Sequence, residues 1–97
     1  MFYFYILYSA NIDRYYIGHT NNLSERIRKH NSKHKGFTGQ TDDWVLVYLE
    51  EYETKSQAYQ RERQVKNLKS KKAIVALIER QKKHPTQKNR EGSSNIL

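Results

Sequence analysis

The segment FYFYILYSANIDRYYIG, residues 2–18, decides the fold because its pattern predicts a β-hairpin. Residues 2–8 are all aromatic or aliphatic, which is typical of a strand. Residues 9–14 are mostly polar and include turn formers, and residues 15–18 give a second, short strand. We therefore expect the chain to begin with two antiparallel strands joined by a short turn.

The two consecutive tyrosines of the second strand are expected to point in opposite directions. Side chains alternate between the two faces of a sheet, so Tyr16 and Gly18 share one face and Tyr15 lies on the other. We expect Tyr15 to pack in the core. Because Gly18 has no side chain, we expect an opening beside Tyr16 through which a backbone or a phosphate could approach.

The remainder of the chain predicts one more strand and three helices. Asn22 and Thr54 begin capping boxes, and Ser70 caps the last helix. The segment WVLVYLEEY, residues 44–52, predicts the third strand. The order is therefore β-β-α-β-α-α, which gives an α+β fold with a small, three-stranded, mostly antiparallel sheet and flanking helices.

The predicted elements form one domain followed by a tail. Apolar periodicity ends near Lys82, so we assign residues 1–81 to a single domain. We expect residues 82–97 to form a basic, disordered tail, since they include a proline, a glycine and two serines and no apolar pattern.

Charge and composition restrict the functional class. Eighteen Lys and Arg residues against ten Asp and Glu give a net charge of +8, which favours a polyanionic partner such as nucleic acid. Lysine that serves only solubility is the alternative. Cysteine is absent, which excludes disulfides and thiolate metal sites and favours a reducing cytoplasm. No apolar stretch reaches the roughly 18 residues of a membrane span, so no membrane partner is expected.

Arg26 and His30 are candidates for chemistry because they lie four residues apart and share one face of the first helix. That face is next to the apolar stripe of Leu23 and Ile27, which should point to the core. We expect the two polar residues at the rim of a cleft. An incidental pair on a solvated helix face is the alternative.

Glu62 is the third candidate because its position lies on the packed side of the second helix, where Ala58, Val65 and Leu68 form the predicted apolar stripe. A carboxylate there needs a partner, since burying an unpaired charge is costly. It is expected either to bind a metal or to form a salt bridge, for which the candidates are Arg26, Arg63 and Lys66. No P-loop, zinc-protease or nucleophile-elbow motif is present elsewhere in the sequence.

Four short motifs occur in order along the chain. They are an aromatic strand with Tyr5, the tripeptide Tyr16-Ile17-Gly18, L-x-x-R-x-x-x-H-N over residues 23–31, and A-x-x-x-E-x-x-x-K over residues 58–66. Together they resemble the GIY-YIG nuclease domain, and in particular its short, stand-alone bacterial members, over roughly residues 2–80. The first motif keeps only its tyrosine, because Tyr3-Phe4-Tyr5 stands where the family name has Gly-Ile-Tyr.

The resemblance implies a metal-dependent endonuclease that hydrolyses phosphodiester bonds in DNA. Branched or nicked DNA, as found in repair or recombination, is the expected substrate. Tyr16, alone or together with Tyr5, would help to position and deprotonate the attacking water, and Arg26 would bind the scissile phosphate. His30 would orient a tyrosine or transfer a proton, and Glu62 would bind one Mg²⁺ or Mn²⁺ ion. The alternatives are a weakly active or inactive nucleic-acid-binding module on the same fold, and a purely structural role for these residues.

Further contacts to nucleic acid are expected from basic residues around this site. Lysine and arginine neutralise backbone phosphates whatever the sequence of the nucleic acid. The predicted contact residues are Gly18, Arg28, Lys29, His34, Lys35, Lys66 and Lys69.

Overall fold

A computed structural model of the protein describes residues 1–83. The α+β fold class is confirmed, and the one element within this part that the sequence did not predict is a 3-10 helix in the loop after the first α-helix. The elements are β1 (Phe2–Ser9), β2 (Arg14–Thr20), α1 (Leu23–His30), the 3-10 helix (Phe37–Gln40), β3 (Val45–Tyr52), α2 (Lys55–Lys66) and α3 (Lys71–Lys83).

The sheet has the order β2-β1-β3, and both pairings are antiparallel. Along the β1–β2 pair, Tyr5 lies opposite Gly18 and Leu7 lies opposite Tyr16. Tyr5 and Tyr16 are therefore diagonal neighbours on one face of the sheet. The tight turn of the hairpin uses a left-handed residue, Asp13, with a φ of 51°.

Strand β1 is buried on both faces because helices cover the sheet on both sides. On one face, Tyr5 and Leu7 form a buried cluster with Trp44, and α1 contributes the partly buried Leu23 and Ile27. The stripe predicted for α1 is thus confirmed. Burial on both sides explains why the first strand is a continuous apolar run instead of an alternating one.

The opposite face of the sheet carries the larger core cluster. Phe4 and Ile6 of β1 pack there against buried residues of the last two helices, among them Val65, Ile74 and Ile78. Tyr15 packs against the same cluster, as predicted. The protein therefore has three layers, with α1 on one side of the sheet and α2 and α3 on the other.

The helix caps follow the sequence predictions with one exception. Thr54 forms a complete capping box with Gln57, and Ser70 accepts a hydrogen bond from the Ala73 N–H. Asn22 accepts a hydrogen bond from the Glu25 N–H, which is half of a capping box. The other half is absent from the described structure because the Glu25 carboxylate binds Arg28 instead.

Two sequence predictions near the C-terminal helices need correction, and part of the second lies outside the described residues. Leu68, predicted on the buried stripe, is 49% exposed because α2 ends at Lys66, before its next turn. Helix α3 continues through Lys83, so residues 82–83 belong to the helix and not to the predicted tail. The rest of that tail, residues 84–97, lies outside the described residues. No helix within residues 1–83 is long and apolar enough to cross a membrane.

Candidate functional site

The buried centre of the site is a hydrogen bond between the sheet and α1. The Tyr5 Oη and His30 Nε2 atoms are 2.9 Å apart, and both side chains are buried. The ring centroid of Tyr16 lies 4.4 Å from that of His30 and 6.3 Å from that of Tyr5. Three of the residues singled out from sequence are thus in mutual contact, although their segments are far apart along the chain.

An open cleft of about 480 Å³ lies directly beside these rings. Within residues 1–83, its lining contains no carboxylate, and four of its nine residues are Arg, Lys or His. Neither Arg26 nor Lys29 has a salt-bridge partner in the described part of the chain. The cleft is therefore suited to an anion. Its lining residues are Tyr16, Arg26, Lys29, His30, Ser32, His34, Gly36, Phe37 and Thr38.

The two tyrosines differ in their access to this cleft. Tyr16 lines it, whereas Tyr5 is fully buried. Burial raises the pKa of Tyr5 well above its ordinary value, and a charge on Tyr16 would raise it further, with Arg26 opposing the shift. Tyr5 is therefore a neutral phenol at neutral pH.

Gly18 does not provide the opening that the sequence suggested. A Cβ atom at this position would lie 2.7 Å from the Tyr5 Oη and 3.1 Å from a ring carbon of Tyr16, and Gly18 itself is buried. The space above the glycine is filled by the end of the Tyr5 side chain, so the prediction of an open approach is wrong. A contact between Gly18 and a phosphate stays a prediction, now without that opening as its basis.

His30 is held on both ring nitrogens. Its Nε2 contacts Tyr5, and its Nδ1 lies 2.9 Å from the Thr38 Oγ1, which in turn is 3.0 Å from the His34 Nε2. Burial, with smaller contributions from Arg26 and His34, lowers the pKa of His30 from 6.5 to about 4. The imidazole is therefore neutral at neutral pH.

The loop that carries Thr38 and His34 is fixed at both ends by side-chain hydrogen bonds. The Asn31 amide accepts a bond from the Trp44 N–H and donates one to the Trp44 C=O. The Trp44 indole N–H donates to the Thr38 C=O at 2.9 Å. No local sequence pattern marks Thr38, because its role depends on this long-range packing. His34, which was predicted to contact nucleic acid, lines the cleft.

Glu62 is held by two nitrogen donors. Its Oε1 lies 2.6 Å from the His19 Nδ1, its Oε2 lies 2.7 Å from the Lys66 Nζ, and its side chain is 13% exposed. Burial raises the pKa of Glu62, but the hydrogen bonds from His19 and Lys66 outweigh it and leave the pKa below its ordinary value. Of the three predicted salt-bridge partners, Lys66 alone pairs with Glu62 in the described structure.

His19 is a site residue that the sequence analysis overlooked. It follows Gly18 directly, and alternation puts its side chain on the face of the sheet that α2 covers. Its ring also lies 5.6 Å from that of Tyr59. Strand alternation combined with the packed position of Glu62 was the signal that could have found it.

The remaining predicted nucleic-acid contacts differ in their surroundings. Lys29 lines the cleft, Arg28 is engaged with Glu25, and Lys66 is engaged with Glu62. Lys35 and Lys69 are exposed. Contact with nucleic acid remains a prediction for all of them.

The described site thus combines two tyrosines of the hairpin, an Arg–His face of α1 and a glutamate on a later helix. The chain matches the family model of the GIY-YIG catalytic domain over residues 1–74 of its 97, and it belongs to that family. GIY-YIG domains are nuclease domains that act on nucleic acid. No curated protein and no solved structure gave a significant match.

Adding a methyl group at Gly18 is expected to displace the Tyr5 phenol. Gly18→Ala should lower the free energy of unfolding by about 1–3 kcal/mol, the usual cost of overpacking a core. In a Tyr5→Phe background the nearest atom is gone, so the same change should cost less. Urea unfolding of the four proteins in this double-mutant cycle measures the difference. Equal costs in both backgrounds would show that Tyr5 does not fill the space above the glycine.

Acidification is expected to destabilise the protein through His30. The unfolded residue takes up a proton near pH 6.5 and the folded residue only near pH 4, so stability falls as the pH drops through this window. The loss should be on the order of 1–3 kcal/mol. Urea unfolding at pH 7, 6 and 5 should show this slope in wild type and lose it in His30→Gln. A ring proton of His30 that titrates near pH 6.5 in the folded protein would contradict the expectation.

Proposed function

We propose that this chain is a metal-dependent endonuclease that hydrolyses phosphodiester bonds in DNA, with branched or nicked DNA as its substrate. The observation that carries the proposal is the cleft, where Tyr16 and Arg26 border a space without a carboxylate lining among the described residues. The buried Tyr5–His30 hydrogen bond fixes the imidazole ring against which Tyr16 packs. We place the protein in the cytoplasm.

Arg26 binds the scissile phosphate in this proposal. Its side chain is exposed at the cleft, and no salt bridge within residues 1–83 engages it. The pentacovalent transition state carries more negative charge than the diester, so a fixed guanidinium stabilises it selectively. Removing such a group typically lowers the rate on the order of a hundredfold or more.

Tyr16 positions the attacking water and accepts its proton. Tyr5 does not exchange a proton and instead holds its neighbours in place. Tyr16 is the tyrosine that lines the cleft, whereas the buried Tyr5 keeps its proton because burial raises its pKa. An ordinary phenol is a weak base at neutral pH unless positive charge stabilises its ionised form. Arg26, which lines the same cleft, supplies such charge.

Glu62 would hold the divalent cation. The carboxylate is ionised, since its pKa lies below the ordinary value, and it is partly exposed. Residues 1–83 contain no group of three or more metal-ligating side chains, which suits an ion such as Mg²⁺ that keeps most of its waters and takes one carboxylate. When bound, the ion would offset charge on the phosphate and on the leaving oxygen.

The rim of the cleft supports a preference for irregular DNA. Phe37 lines the cleft and is 45% exposed, with its ring 6.1 Å from the ring of Trp44. An exposed aromatic ring can stack on an unpaired base, and branched and nicked DNA offer bases that unstack at low cost. A uniform duplex offers no such base.

The second candidate is a nucleic-acid-binding module with little or no activity. The observation that favours it is the engagement of both Glu62 oxygens, one by His19 and one by Lys66. A cation would have to compete with the ammonium group of Lys66 for the same oxygen. If that competition fails, the cleft still binds a phosphate through Arg26.

The test is a cleavage assay with Mg²⁺ on linear, nicked and branched DNA. Wild type is expected to cut, with nicked or branched DNA preferred, and Glu62→Ala, Tyr16→Phe and Arg26→Ala are each expected to lose on the order of a hundredfold in rate. Arg80→Ala is the matched control for Arg26→Ala, because it removes the same charge from an exposed position of α3 that is outside the cleft lining and is not among the predicted contacts.

The outcomes separate the candidates. DNA that is shifted in a gel but never cut, with Mg²⁺ or with Mn²⁺, would establish the binding module. Cleavage by Glu62→Ala and Tyr16→Phe at the wild-type rate would show that the catalytic residues are assigned wrongly. Equal losses in Arg26→Ala and Arg80→Ala would show that Arg26 contributes only through the net positive charge of the protein.

A further inference from the structure

We infer that Thr38 and His34 fix His30 in the tautomer that carries its proton on Nε2, so that His30 donates a hydrogen bond to Tyr5. The effect of this arrangement on cleavage rests on the proposed nuclease function, whereas the arrangement of protons itself does not. It follows from four hydrogen bonds in series, which begin at the backbone of Gly36 and end at the phenol of Tyr5.

The series begins with a group whose direction is fixed. The backbone N–H of Gly36 donates to the His34 Nδ1 at 3.1 Å, and a backbone amide can only donate. The Nδ1 of His34 is therefore an acceptor, and a neutral imidazole then carries its hydrogen on Nε2. That Nε2–H faces the Thr38 Oγ1 at 3.0 Å and donates to it.

The hydroxyl of Thr38 accepts a hydrogen bond from His34 and donates one to His30. Thr38 is 3% exposed, and its side-chain hydrogen-bond neighbours within residues 1–83 are the His34 Nε2 and the His30 Nδ1. The hydroxyl hydrogen of Thr38 goes to whichever of these two nitrogens carries no hydrogen, because an unsatisfied buried donor is costly. The His34 nitrogen already carries a hydrogen, so Thr38 donates to the His30 Nδ1 at 2.9 Å.

The last step places the hydrogen of His30. Its Nδ1 accepts from Thr38, and the ring is neutral at neutral pH because burial lowers its pKa to about 4. The single hydrogen is therefore on Nε2, which donates to the Tyr5 Oη at 2.9 Å. The reverse direction would require a hydrogen on the His34 Nδ1, pointing at the Gly36 N–H.

The consequence for the site concerns the hydroxyl of Tyr5. Its oxygen accepts from His30, so its own hydrogen has no acceptor within residues 1–83 and is left to donate to a group that enters the site, which would offset the cost of an unpaired buried donor. A hydroxyl that accepts a hydrogen bond becomes a stronger donor, because hydrogen bonds in series polarise one another. Thr38 and His34 are thus positioning residues that set the direction of the Tyr5 hydroxyl without touching the substrate's reacting atoms.

The direct test is a long-range ¹H–¹⁵N spectrum of the full chain at neutral pH, which distinguishes a protonated ring nitrogen from an unprotonated one. We expect Nε2 to be the protonated nitrogen of both His30 and His34. In Thr38→Val, which keeps the shape and removes the hydroxyl, the tautomer ratio of His30 should move towards Nδ1–H. A wild-type His30 with its hydrogen on Nδ1 overturns the proposal.

The functional arm compares isosteric variants by single-turnover cleavage of nicked DNA. Thr38→Val should lower the cleavage rate about tenfold with unchanged DNA affinity, a smaller loss than the roughly hundredfold or more expected for a group that takes part in the reaction directly. Thr38→Ser, which keeps the hydroxyl, should restore both the tautomer and most of the rate. Thr41→Val, which removes a hydroxyl that instead binds Asp43, controls for general effects of such a change in this loop.

The results separate this inference from the proposed function. If Thr38→Val leaves the tautomer and the rate unchanged, or if Thr41→Val lowers the rate as much, the inference is wrong. If Thr38→Val does not fold, the wild-type spectrum still decides the question. If wild type never cuts DNA, the nuclease proposal fails, and the spectrum alone supports or overturns the arrangement of protons.

Discussion

The hydrogen bond between Tyr5 and His30 is the constraint on which the rest of the site depends. It joins the central strand of the sheet to α1, and both side chains are buried. Both partners must stay neutral there, and burial shifts both pKa values in the direction that keeps them so. Gly18 belongs to the same constraint, because a larger residue opposite Tyr5 would occupy the space of its hydroxyl.

This buried pair divides the site into a neutral interior and a charged surface. Arg26 lies one helical turn before His30 on the same face of α1. Anchoring His30 therefore holds this face of the helix, and with it Arg26, at the cleft. Tyr16 packs against the imidazole and has access to the cleft, which the deeper tyrosine lacks. Glu62 comes from the other side of the sheet, held by donors from β2 and from α2 itself. In the proposed chemistry, Arg26, Tyr16 and a cation held by Glu62 must all reach the same phosphate.

The sequence predicted the fold class, the strands and the helix starts, because alternation, capping and helical spacing are local rules. The grouping of Tyr5, Tyr16 and His30 in one site was implied by the family resemblance and not by these rules. It did not predict what depends on distant packing. The opening expected at Gly18 is closed by a tyrosine from another strand. Thr38 lies in a 3-10 helix held by a tryptophan six residues later, and no local pattern marks it. His19 was missed for the same reason, since its partner lies 43 residues away.

The most direct test of this account is a crystal structure of Glu62→Gln bound to nicked DNA in the presence of Mg²⁺. The account predicts a backbone phosphate in the cleft, within hydrogen-bond distance of the Arg26 guanidinium and beside the Tyr16 hydroxyl. The Tyr5–His30 hydrogen bond should be unchanged beneath it. DNA bound away from the cleft, with no phosphate near Arg26, or a His30 ring turned away from Tyr5 in the complex, would contradict this arrangement.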